Sequence, residues 1–129
     1  MLGHISFGVK DLARSQAFYV VVMTALGYRR VFAAAHGIGY GKSGASERED
    51  QLFVAFQDGP VIPPSKGFHL AFNALSGDAV DRFHLTALEF GGLDNGAPGV
   101  RPHYGDDYYA AFVIDPDGYR LEAKYPPAP

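Results

Sequence analysis

The sequence predicts an α+β fold: two βαβββ units whose strands form a cupped mixed sheet, with the helices on its outer face. Three observations carry this. An internal repeat with a period of about 65 residues sets His4-Ile5-Ser6-Phe7 against His69-Leu70-Ala71-Phe72. Each of these strand-like segments is followed by a stretch of helical spacing closed by glycine, Gly27 in the first half and Gly91-Gly92 in the second. The chain then ends in two alternating runs joined by Asp115-Pro116-Asp117-Gly118, which reads as an antiparallel hairpin. A βαβββ unit leaves one sheet face bare, so two units side by side can curl into a cup whose inner face is open to a ligand.

The elements follow in order. His4 to Val9 alternates as a strand, with Ile5, Phe7 and Val9 on one face and His4, Ser6 and Gly8 on the other. Asp11 caps a helix over Leu12 to Leu26 with its apolar stripe at Phe18, Val21, Val22 and Ala25, although the β-branched run Val20-Val21-Val22 pulls locally toward strand. Tyr28 to Ala33 reads as a second strand and Ile38 to Gly41 as a short third, followed by a loop ending in Glu47, Arg48, Glu49 and Asp50. Leu52 to Gln57 is the fourth strand, stopped by Asp58-Gly59-Pro60. Residues 60 to 67, with three prolines, form a linker between a first unit of about 1–60 and a second of about 67–127 in a single 129-residue domain.

In the second unit Gly67 to Phe72 repeats the first strand with the same parity. Ser76 caps a helix from Gly77 to about Phe90 whose stripe is Val80, Phe83, Ala87 and Phe90. Leu93 to Gly99 reads as a glycine-rich turn, Val100 to Tyr104 as a short extended piece, and Ala110 to Ile114 as the outgoing arm of the hairpin. On the return arm Tyr119, Leu121 and Ala123 share one face, and Arg120, Glu122 and Lys124 the other. Phe7, Phe18, Phe83 and Phe90 are expected in the core. With the apolar faces packed under the helices, His4, His69 and Glu122 are left on the inner face.

Composition narrows the function. The 47% hydrophobic and 14% aromatic content describes a chain that packs a core. Eleven basic against fourteen acidic residues, with no basic block, argue against nucleic acid and anionic membrane as partners. No segment is apolar for long enough to span a bilayer, and no secretory signal is legible at the start, so a cytoplasmic location is expected. Without cysteine there are no disulfides, thiolate ligands or cysteine nucleophiles, and any metal must be held by nitrogen and oxygen.

A histidine on the first strand of each half, Asp-Leu-x-x-Ser-x-x-Phe-Tyr at Asp11 to Tyr19, Leu-Gly-Tyr at 26 to 28 and Asp-Pro-Asp-Gly-Tyr-Arg-Leu-Glu at 115 to 122 occur here in sequence. Together they resemble the vicinal oxygen chelate superfamily, which includes glyoxalase I, bleomycin resistance proteins, fosfomycin resistance proteins and extradiol dioxygenases. The resemblance covers nearly the whole chain and implies metal ligands on the inner faces of the first and last strands of each unit: His4, His69 and Glu122. Where glyoxalase I has a fourth, glutamate ligand, this chain has Ala55 or, by a shift that preserves parity, Gln57, whose carbonyl oxygen is the candidate fourth donor.

Two histidines and a carboxylate leave open positions on a divalent ion, iron or manganese by ligand type, with zinc or nickel as alternatives. The implied function is a metal-dependent enzyme, an isomerase, lyase or dioxygenase, acting on a small molecule that chelates the metal through adjacent oxygens. The rival is a non-catalytic small-molecule binding protein of the bleomycin-resistance type. Proteins of this kind dimerise, so a homodimer is expected, with the cup formed within one chain or by units exchanged between chains. Arg101, His103, Tyr104 and Tyr108, in a stretch rich in hydrogen-bonding and stacking groups, are candidate substrate contacts. No catalytic base is assignable. His36 reads as an exposed loop residue, His84 as packing or surface, and Asp115 and Asp117 as turn formers.

Overall fold

The structure, a computed structural model, describes residues 2–46 and 49–127. Glu47 and Arg48, expected at the charged end of a loop, lie outside the described residues. The alternating segment at the start forms β1 (Ile5–Val9). Next, α1 (Leu12–Ala25) begins where the Asp11 carboxylate accepts the Arg14 N–H at 3.1 Å, and it ends at Leu26 and Gly27, the latter at φ 87°. The valine run does not turn it into a strand, because Val22 is buried together with Phe18, Tyr19 and Met23 in the core. The unit is completed by β2 (Tyr28–Ala34), β3 (Gly37–Lys42) and β4 (Leu52–Phe56).

The second unit repeats the plan in β5 (Leu70–Asn73), α2 (Gly77–Glu89, capped by Ser76), β6 (Leu93–Val100), β7 (Tyr109–Ile114) and β8 (Arg120–Tyr125). Each unit builds its own four-stranded sheet in the same order, β1-β4-β3-β2 and β5-β8-β7-β6, with the first and last strands of the unit parallel and the others antiparallel. The repeat in sequence is therefore a repeat in topology. The two helices pack on each other, and the core gathers Phe18, Tyr19 and Val22 of α1, Val80 and Phe83 of α2, and Val54, Val113 and Leu121 of the sheets.

Several expectations are corrected. The segment 93–99 is strand rather than turn: pairing with β7 overrides its weak strand propensity, and the strain is absorbed by irregular register around Gly96 and Gly99. Of the expected extended piece, Val100 ends β6 and residues 102–104 form a turn. The second-unit strand starts at Leu70, not Gly67, leaving Phe68 43% exposed. Phe90 caps α2 and is also 43% exposed, whereas Phe18 and Phe83 are fully buried and Phe7 packs half-buried between the rings of Tyr19 and Tyr119. The stripe of α2 thus ends one turn earlier than its spacing predicts.

The hairpin turn does more than reverse the chain. Asp115 Oδ1 accepts the N–H groups of Asp117 and Tyr119, and Gly118 takes the positive φ of 103°. The other Asp115 oxygen accepts the Tyr19 hydroxyl, while Asp117 accepts from the Lys10 N–H, the Arg14 guanidinium and the Ser15 hydroxyl. The Tyr119 hydroxyl donates to the Gly8 carbonyl. The turn of the second unit is thereby fastened to the start of α1 and the end of β1 in the first.

Candidate functional site

Strand β8 places the carboxylate. Leu121 and Ala123 are wholly buried on one side, so Glu122 must point to the other, between Ala71 of β5 and Phe112 of β7. Glu122 is only 2% exposed. A buried carboxylate is costly unless its oxygens are hydrogen-bonded, and here both are: Oε1 accepts the Tyr108 hydroxyl at 2.6 Å and Oε2 lies 2.9 Å from Nε2 of His69. Burial, followed by the hydrogen bond and charge of Glu122, pushes the Tyr108 phenol far above its ordinary pKa, which keeps it a donor.

His69 directly precedes β5, its side chain 44% exposed and its ring edge-on to Phe112 at 6.0 Å. The Lys124 ammonium stands 5.3 Å from the centre of the Tyr108 ring and donates to the Pro126 carbonyl. Lys124 and Phe112 were not singled out from sequence. The signal was there: Lys124 shares the parity of Glu122, and Phe112 lies directly opposite Glu122 in the hairpin register.

The other predicted residues fall in different places. Tyr104 and His103 stack on the same loop, with ring centres 4.1 Å apart and Tyr104 5.3 Å from Tyr108, so an aromatic ladder leads from solvent to the Glu122 partner. Arg101 is held by its own strand end, donating to the carbonyls of Gly99 and Ala97 while its guanidinium covers the Phe112 ring at 5.4 Å. His4, exposed, immediately precedes β1 as His69 precedes β5, and both line one cavity at the junction of the units. Glu122 does not line that cavity. Among the described residues no three His, Asp or Glu side chains converge as a metal-binding group, so the structure brings His69 and Glu122 together and leaves His4 apart.

Gln57 extends the β1–β4 pairing, its N–H donating to the Val9 carbonyl, and its side-chain amide donates to the Pro60 carbonyl at 2.7 Å. Its Oε1 sits where a Cβ on Gly8 would be. Ala55 stands beside Gly8 in the ladder. His36 lies between β2 and β3 near the rings of Phe32 and Phe53, and His84 pairs with Asp94 at 2.9 Å.

The donor pair fits a divalent ion in one respect. The 2.9 Å between His69 and Glu122 is a direct hydrogen-bond distance, and it also equals the separation of about 2.9 Å between two ligands at right angles on an ion with bonds of about 2.0–2.1 Å. Tyr108 then holds the carboxylate oxygen turned away from His69, as outer hydrogen bonds do for metal ligands.

Comparison with known proteins adds to this geometry. A family model described as Glyoxalase/Bleomycin resistance protein/Dioxygenase superfamily matches residues 1–123. No curated protein sequence matches. Among solved structures, a glyoxalase/bleomycin resistance protein from Albidiferax ferrireducens T118 is 29% identical with a TM-score of 0.81, covering 98% of both chains. A glyoxalase I variant from Zea mays is 25% identical with a TM-score of 0.70, matching 94% of this chain and 44% of that one. A fosfomycin resistance protein from Listeria monocytogenes shares the fold at 18% identity and a TM-score of 0.69, over 96% of this chain and 91% of that one.

Proposed function

Because the chain belongs to the Glyoxalase/Bleomycin resistance protein/Dioxygenase superfamily, we propose that it is a metal-dependent enzyme acting on a small molecule with two adjacent oxygens. The observation that carries this reading is the His69–Glu122 pair, spaced like neighbouring ligands and braced by Tyr108. A divalent ion held there, iron, manganese, nickel or zinc, would serve as a Lewis acid toward those oxygens. His4, just before the equivalent strand of the first unit, is the third ligand and Gln57 the candidate fourth. Since His4 stands apart from Glu122 in a single chain, the set is completed in a homodimer, the first unit of one copy facing the second unit of the other.

The residues around the pair have separable tasks. Tyr108 fixes the carboxylate by donating its phenol proton to Oε1. Tyr104 and His103 give a flat substrate surfaces to stack on, and Phe112 keeps water from the inner side of His69. Arg101, bonded to two carbonyls and lying over the Phe112 ring, holds that ring in place and keeps further N–H donors for a substrate. The reaction class is isomerase, lyase or dioxygenase.

One observation favours a non-catalytic binding protein as the second reading. Both Glu122 oxygens are satisfied by protein donors, so the inner face is organised without any ion. The two readings separate in one experiment: metal content and oligomeric state of the wild type and of His4→Ala, His69→Ala and Glu122→Ala. Stoichiometric metal lost in all three variants, and about a quarter of the sites restored on mixing equal His4→Ala and Glu122→Ala subunits, since half of the re-paired dimers are mixed and each mixed dimer has one intact site of two, supports the shared site. No uptake of iron, manganese, nickel or zinc by the wild type sinks the enzyme reading and leaves the binding protein.

A further inference from the structure

The His69–Glu122 pair sits on a cationic face of an acidic chain. Parity puts Arg120 and Lys124 on the same side of β8 as Glu122, and Phe112, opposite Glu122 on β7, carries the Arg101 guanidinium 5.4 Å from its ring centre. Arg101, Arg120 and Lys124 thus share this face of the second sheet with one carboxylate, whereas the chain as a whole has a net charge of −3. Asp106 and Asp107, on the loop before Tyr108, are exposed, where water and salt screen them. A local surplus of one sign raises the concentration of ligands of the other.

Of these cations, Arg101 is the one fixed in place. Its Nη1 donates to the Gly99 carbonyl at 2.9 Å and its Nη2 to the Ala97 carbonyl at 2.7 Å. A Cβ on Gly99 would come within 3.2 Å of Nη1, and one on Gly96 within 3.2 Å of Nη2, so the glycines of β6 clear the bed on which the guanidinium lies. A guanidinium has five N–H donors, and the two carbonyls leave the others free for an acceptor. Phe112 links this fork to the ligand pair, its ring centre 5.4 Å from the guanidinium carbon and 6.0 Å from the His69 ring. One small molecule can reach both. Lys124 donates to the Pro126 carbonyl and Arg120 leans toward that of Pro64, so these two add charge to the face while Arg101 offers the grip.

We propose that the small molecule bound at the His69–Glu122 centre carries, besides its two adjacent oxygens, a carboxylate that docks on the Arg101 fork. The role of the adjacent oxygens rests on the metal reading above; the carboxylate dock does not, because Arg101 is held by its own strand. A planar guanidinium meets a carboxylate through paired parallel hydrogen bonds, whereas a neutral amide of the same shape turns one donor against it. The turn that carries His103 and Tyr104 is tied to Arg101, the Tyr104 N–H donating to the Arg101 carbonyl at 2.9 Å, so the stacking rings stand beside the fork. The substrate class is a flat acid whose carboxylate lies at the end remote from its chelating oxygens.

3,4-Dihydroxybenzoate and 3,4-dihydroxybenzamide, alike in shape and in their adjacent oxygens, test this by calorimetric titration of zinc-loaded and of metal-free protein. Zinc has no redox chemistry, so neither probe is consumed. The wild type is expected to bind the acid about tenfold more tightly than the amide in both states, the low end for hydrogen bonds to charged groups. In Arg101→Gln that preference should vanish while affinity for the amide stays. If Arg101 served only to hold the Phe112 ring, the variant would lose affinity for both probes alike and keep their ratio, which overturns the proposal. Equal binding of the two probes to the wild type overturns it as well, as does no binding in either state. The metal reading fails separately: if zinc is not taken up, or strengthens neither probe, while the acid keeps its Arg101-dependent preference, the ion is removed and the carboxylate dock stands.

Discussion

The hydroxyl of Tyr19 donates to the Asp115 carboxylate at 2.5 Å in the interior, joining residues 96 positions apart. Tyr19 lies on the first helix and Asp115 at the start of the hairpin turn, so the bond crosses from one unit to the other. Burial, reinforced by Asp115, pushes the Tyr19 phenol well above its ordinary pKa; burial likewise raises Asp115, against hydrogen bonds from Tyr19, Tyr119 and Asp117 that favour its charged form.

Tyr19→Phe keeps the ring and strands one buried carboxylate oxygen, so a loss of about 1–3 kcal/mol is expected in urea unfolding. Asp115→Ala, which also removes the two turn bonds, should cost more. Equal stability of Tyr19→Phe and the wild type would mean that the bond contributes nothing net.

Phe83 and Phe90 share one sequence stripe but not one environment. Phe83→Ala empties a fully buried site and should cost about 3–5 kcal/mol, whereas Phe90→Ala, at a 43% exposed cap, should cost a small fraction of that. Chemical denaturation of the two variants side by side decides it.

Tyr108→Phe leaves Glu122 with a single partner. Under the metal reading, affinity for the ion should fall about 10–100-fold while circular dichroism stays unchanged. Competition with a chelator measures the change, and unaltered affinity would remove Tyr108 from the site.

Alkaline pH should unfold the protein partly through Tyr40. Burial raises its pKa from 10.0 to about 12, so the folded state holds the proton more tightly than the unfolded chain. That stability is fully present below pH 10 and is lost as pH rises toward 12. Tyr40→Phe should show a shallower decline over this window, and identical slopes would rule the residue out.

Much was legible in the chain itself, because the relevant physics is local. Alternation with period two put Glu122 opposite Leu121 and Ala123, helix caps and glycines bounded α1 and α2, and the repeat of His4 and His69 announced two equivalent units. Tertiary structure decided what depends on contact between distant segments. Sheet pairing turned the glycine-rich residues 93–99 into β6, and the fall-off of the α2 stripe left Phe90 in solvent. The turn aspartates became a clasp only because the hairpin meets α1, a meeting no spacing in the sequence encodes. The same holds for the site: parity pointed to three candidate donors, but only the packing of β5 beside β8 put His69 against Glu122 and left His4 at the start of the other sheet. Which face a side chain takes is a property of its own strand. Which side chains meet is a property of how the sheets are laid together.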